Sequence, residues 1–139
     1  MLKKIDHIGI ATTSLADAMP FWTKGLRLES VHEEEVPDQK VRTVFLPVGE
    51  VNIELLEGTS PESPISKYIE KKGGGIHHIC YEVTDVKEAL EHLKAQGYTL
   101  IDQEPRRGAH GKLVAFVHPK STGGILIELS QDDPHHHHV

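Results

Sequence analysis

Ile5-Asp6-His7-Ile8 and Ile76-His77-His78-Ile79 stand 71 residues apart, and each opens a short β-rich run followed by an amphipathic helix. Ser14, with Asp17 three residues on, and Asp85, with Glu88 in the matching place, read as N-caps of those helices. Leu15, Ala18, Met19 and Trp22 align with Val86, Ala89, Leu90 and Leu93, apolar at helical spacing. Gly25 and Gly97 are expected to end the two helices in the left-handed conformation. Pro20 is expected to kink the first helix or delay its start.

The duplication continues beyond the helices. Val44-Phe45-Leu46 matches Ala115-Phe116-Val117 at an offset of 71, and Gly49 to Leu55 matches Gly123 to Leu129 at 74. A longer hairpin loop, Pro119-Lys120-Ser121-Thr122, accounts for the difference of three. Each half therefore reads as strand, helix and three strands. A joining helix runs from its N-cap Ser63 through Pro64 and Ile65 to Lys72, where Gly73-Gly74-Gly75 stops it. The expected organisation is one domain over residues 1–131, with modules 5–58 and 76–131 and a linker helix at 63–73. The modules are expected to pack together, because neither alone buries much apolar surface. Residues 132–139 form a His-rich tail, expected to be disordered; its run His135 to His138 is set aside from fold reasoning.

Composition narrows the function classes. With 139 residues, 37% hydrophobic and 26% charged, the chain is neither disordered nor fibrous. It holds no apolar run of the roughly 18–20 residues a membrane span needs, and its start has no secretory apolar region. The single Cys80 excludes an internal disulfide framework and a thiolate zinc cluster. A net charge of −6 argues against general nucleic-acid binding. The expectation is a cytoplasmic globular protein with no nucleic-acid or membrane partner.

Two polar residue types recur in both halves. His7 matches His78 in the first strands, and Glu54 matches Glu128 in the last. Side chains alternate across a strand, so Ile8 and Ile10 oppose His7, while Val51, Ile53 and Leu55 oppose Glu54. Ile79, Tyr81 and Val83 likewise oppose His78, and Ile125, Ile127 and Leu129 oppose Glu128. All four are expected to point away from the helix-packed face. Glutamate is costly to bury unpaired, and a divalent ion held by two imidazoles and two carboxylates offsets that cost. A lone strand Glu or His is ordinarily solvated or hydrogen-bonded; the duplication sets these four apart. His77 competes with His78, since a one-residue slip exchanges them. His110 and His118 read as loop or strand-end residues, and Phe21, Trp22, Phe45 and Phe116 as core.

The paired βαβββ pattern with one His and one Glu in each half resembles the vicinal oxygen chelate superfamily. That superfamily includes glyoxalase I, extradiol dioxygenases and metal-free drug-binding proteins. Within it the chain is similar to the methylmalonyl-CoA epimerases. The likeness is carried by Ile5-Asp6-His7-Ile8-Gly9-Ile10-Ala11, Val36-Pro37-Asp38-Gln39-Lys40-Val41, Ser63-Pro64-Ile65, Gly75-Ile76-His77-His78-Ile79 and His118-Pro119-Lys120-Ser121 running into Ile127-Glu128-Leu129. The resemblance implies an α+β fold of two tandem βαβββ modules whose sheets form one metal-holding cleft. It implies an isomerase that interconverts the epimers of methylmalonyl-CoA through an enolate, with His7, Glu54, His78 and Glu128 as metal ligands and Glu128 as catalytic base. It favours Co²⁺, with Mn²⁺, Ni²⁺, Zn²⁺ or Mg²⁺ as other candidates, and a homodimer. A second carboxylate base found in some members falls here at Thr43, which cannot serve as one. Thr43 positioning a water, Glu54, and protonation from solvent remain alternatives for the opposite face.

An acyl-CoA substrate is polyanionic and this chain is net negative, so a local basic patch is required. Arg106, Arg107, Lys112 and Lys120 cluster around the loop Gly108-Ala109-His110-Gly111 and are the candidates, with ordinary solvated charge as their other reading. A glyoxalase I-type lactoylglutathione lyase and a metal-free small-molecule binding protein are the alternative functions. Retention of all four ligands counts against the second.

Overall fold

The computed structural model describes residues 1–108 and 111–133. His110 and the run His135–His138 lie outside the described residues. The fold is α+β, and the chain divides into two compact units: His7–His77, and Met1–Asp6 together with the chain from His78 onward. The boundary falls inside the first strand, β1 (Leu2–Thr12).

In the His7–His77 unit the strand order is β2 (His32–Val36), β3 (Val41–Val48), β4 (Val51–Gly58) and β1, with β4 and β1 parallel. Helix α1 (Leu15–Pro20) starts at Ser14, whose hydroxyl accepts from the Asp17 N–H at 3.2 Å. A second acceptor, Glu57 Oε1, takes the Leu15 N–H at 2.8 Å and ties the helix start to β4. Leu15, Val44, Leu46 and Leu55 are buried together, with Ala18, Met19 and Trp22 packed on them. The helix does not end at a left-handed Gly25 as the sequence suggests. Pro20 has no N–H to continue the ladder, and Phe21–Gly25 widens into a π turn closed by Leu26 N–H to Phe21 O at 2.9 Å. Arg27, at φ 61°, takes the left-handed position instead.

Helix α2 (Pro64–Lys72) begins at the fully buried Ser63 and ends at Gly73, where φ is 74°. Its residues Ile65, Tyr68 and Ile69 cover Ala11, Val41 and Leu56, on the sheet face opposite α1. A Cβ on Gly58 would stand 2.0 Å from Ser66 Oγ and 2.9 Å from Ser63 Oγ. Gly58→Ala is therefore expected to push α2 off the strand at a cost of about 1–3 kcal/mol, read as a lower Tm in thermal unfolding. An unshifted Tm would show that the two serines yield freely.

In the other unit the order is the start of β1, then β5 (Gly75–Val83), β8 (Leu126–Asp132), β7 (Lys112–Val117) and the two-residue β6 (Arg106–Arg107). Met1 O accepts from Thr84 N–H at 3.0 Å, which fixes the start of β1 here. Helix α3 (Val86–Ala95) is capped by Asp85, which accepts from the Glu88 N–H at 3.2 Å, and Gln131 Oε1 takes the Val86 N–H as Glu57 does for α1. Val86, Ala89 and Leu90 are almost fully buried against Ala115, Val117 and Leu129. Burial of each of the larger side chains, Val86, Leu90, Val117 and Leu129, contributes about 1.5–3 kcal/mol. Gly97, at φ 87°, follows α3 as expected. The β7–β8 connection is longer than its counterpart because Pro119–Ser121 forms a 3-10 turn, capped by His118 Nδ1 accepting from the Lys120 N–H. Asp132 closes β8, and Asp133 is buried. No helix among the described residues is long and apolar enough to cross a membrane.

Candidate metal and active site

Each unit carries one imidazole–carboxylate pair on the sheet face opposite its amphipathic helix. In the first, parallel pairing sets His7 beside Asn52 and Gly9 beside Glu54. His7 Nδ1 lies 3.1 Å from Glu54 Oε2. Both side chains are 13% exposed. In the second, β5 and β8 pair Cys80 with Glu128, and His78 Nε2 lies 3.8 Å from Glu128 Oε1 at 12% and 15% exposure.

This contact separates the two adjacent histidines. His77 points to the other face, where its ring meets Tyr68 edge-on at 5.0 Å. Burial holds the His77 imidazole below its ordinary pKa, which favours the neutral form.

Within each pair the donor spacing is compatible with both donors binding the same cation. Two atoms each about 2.1 Å from the same ion stand about 3.0 Å apart at a right angle and about 3.4 Å apart tetrahedrally. Separations of 3.1 and 3.8 Å lie close to that range, and 3.8 Å is longer than a direct hydrogen bond. Nitrogen and carboxylate donors of this kind suit borderline divalent metals.

Phe45 and Phe116 do not join the core. Their neighbours Val44, Leu46, Ala115 and Val117 do, so strand alternation turns both rings to the glutamate face. Cross-strand pairing sets Phe45 opposite Glu54 and Phe116 opposite Glu128. Period-two alternation contains this signal, but the hydrophobicity of phenylalanine masks it. Thr43 is buried on β3, two residues before Phe45 on the same face.

Three of the four candidate basic residues are occupied. Arg107 Nη1 contacts the buried carboxylate of Asp133, and Lys112 Nζ lies 3.0 Å from Asp132 Oδ1. Desolvation works against the Lys112 ammonium, but its hydrogen bond and charge pairing with Asp132 raise its pKa overall. Arg106 Nε lies 3.4 Å from Asp102 Oδ1, and its guanidinium sits 5.3 Å over the Phe116 ring. Lys120 lies on the 3-10 turn after His118.

Residues 6–116 match the model of the Glyoxalase/Bleomycin resistance protein/Dioxygenase superfamily. The chain is 42% identical over 139 residues to the uncharacterized protein YqjC of Bacillus subtilis (strain 168), covering 99% of each. It is 40% identical over 133 residues to an ethylmalonyl-CoA/methylmalonyl-CoA epimerase of Cereibacter sphaeroides, covering 94% of this chain and 99% of the relative. A methylmalonyl-CoA epimerase solved in complex with methylmalonyl-CoA and NH4+ superposes at TM-score 0.84 with 34% identity, over 96% of this chain and 97% of that one. The chain therefore belongs to the glyoxalase/bleomycin resistance protein/dioxygenase superfamily and, within it, to the methylmalonyl-CoA epimerase family.

Proposed function

We propose that the chain interconverts the two C2 epimers of methylmalonyl-CoA, with His7, Glu54, His78 and Glu128 together holding one divalent ion and Glu128 acting as the catalytic base. The observation that carries this reading is the duplicated imidazole–carboxylate pair, set in each unit on the sheet face opposite α1 or α3. Membership of the epimerase family supplies the substrate class. When bound, the ion supplies Lewis-acid stabilisation of the negative charge that builds on the thioester oxygen as the C2 proton leaves.

The residues do the rest. Glu128, whose cross-strand neighbours are Cys80 and Phe116, takes the C2 proton from one face. Inversion needs a second proton carrier on the opposite face, because a proton returned to its own face restores the starting epimer. Glu54 is a carboxylate candidate for that role, and the Thr43 hydroxyl can orient a water. The same reading takes Co²⁺ as the ion on family resemblance, and the enzyme as a cytoplasmic homodimer.

Methylmalonyl-CoA in deuterated water, with and without added Co²⁺, tests this directly. The expected result is metal-dependent entry of deuterium at C2 together with stereochemical inversion. Turnover confined to the glutathione hemithioacetal of methylglyoxal would replace the reading with a lyase of the glyoxalase I type.

A further inference from the structure

Helix α2 closes with the Gly73 N–H on Ile69 O at 2.8 Å, and three successive glycines then lead into β5, which begins at Gly75. Gly73 and Gly75 stand at φ 74° and 138°, a region that other residues rarely adopt, and a Cβ on Gly74 would meet Ala11 O at 3.2 Å. The link therefore carries no side chain of its own to steady it. The printed ladder between β5 and β8 starts only at His78, which pairs with Leu126. Ile76 and His77 precede that ladder and need another anchor.

Tyr68 supplies one. Its hydroxyl donates to Ile76 O at 2.7 Å and its ring meets the His77 imidazole at 5.0 Å, so one side chain holds two successive residues of β5. Tyr68 is itself seated, packing with Ile65 and Ile69 against Ala11, Val41 and Leu56. A hydrogen bond to the Ile76 carbonyl sets the plane of the Ile76–His77 peptide, because that unit is rigid. Side chains alternate along a strand, so the direction in which His77 leaves this peptide decides the direction of His78. Two adjacent imidazoles are equally able to ligate a metal, and the backbone alone chooses between them.

We infer that Tyr68 is a positioning residue for His78: its hydroxyl holds the start of β5 so that His78, and not His77, presents its imidazole to the ion. This rests on the reading of His78 as a metal ligand. The hydroxyl rather than the ring carries the effect, since it grips the backbone whatever side chain stands at position 77.

The test is a pair of double-mutant cycles read by calorimetric Co²⁺ titration: wild type, Y68F, H78A and Y68F/H78A, and the same set with H7A in place of H78A. Each titration is taken as a difference from wild type, so uptake by the terminal histidine run cancels. Y68F keeps the ring and removes only the hydroxyl, and is expected to weaken Co²⁺ binding about fivefold. That loss should vanish in the H78A background, where the positioned ligand is gone, and persist in the H7A background. In metal-free protein, amide hydrogen exchange across Ile76 to His78 should be faster in Y68F, with helix α3 unchanged. The inference is overturned if Y68F binds Co²⁺ as wild type does, if exchange at those amides does not change, or if the two backgrounds respond alike, which would mark a general loosening of the fold. An H78A protein that binds Co²⁺ as tightly as wild type would instead overturn the reading of His78 as a ligand, and this inference with it.

Discussion

Glu128→Gln is expected to lower kcat for epimerisation by at least about a thousandfold, because glutamine keeps the side-chain volume and one oxygen donor but cannot accept the C2 proton. Its effect on the metal should be smaller, about tenfold in affinity, since His7, Glu54 and His78 are untouched. The comparison of deuterium-exchange rates with calorimetric Co²⁺ binding separates the two roles. Equal losses in both would reduce Glu128 to a ligand, and full turnover would remove it from the mechanism. Glu128 is the side chain to test first because the reading gives it two roles, base and ligand, beside His78 Nε2 at 3.8 Å.

The second large effect is a contrast between neighbours. His78→Ala is expected to cost about a hundredfold in Co²⁺ affinity, as one ligand of four is lost. His77→Ala should leave that affinity unchanged, since its ring packs on Tyr68 on the opposite face; the substitution removes that edge-on contact, worth about 0.5–1.5 kcal/mol. The measurement is the difference from wild type in each titration, so metal taken up by the terminal histidine run cancels. A reversed pattern would mean that the strand register is shifted by one residue.

Much of this was legible in the chain because alternation and repetition act at short range. The two N-caps, the α3 core residues and the faces of His7, Glu54, His78 and Glu128 follow from spacing alone. What the spacing hid had tertiary or local causes. The π turn at Phe21–Gly25 depends on how the chain relieves Pro20, which a helical pattern does not specify. The grouping of Leu2–Asp6 with the later unit depends on long-range pairing that no local signal encodes. Phe45 and Phe116 were misplaced because hydrophobicity outweighed parity, although the strands that gave the glutamates their face gave the rings the same one. The short β6 holds only two residues, too few to show a period, so the setting of Arg106 became visible only through Asp102 and Phe116.

Anomalous diffraction from crystals grown with Co²⁺ bears most directly on whether the halves cooperate. The expected map has one strong peak within about 2.0–2.3 Å of an imidazole nitrogen of both His7 and His78 and a carboxylate oxygen of both Glu54 and Glu128. Separate peaks on each half, or a signal confined to His135–His138, would contradict it.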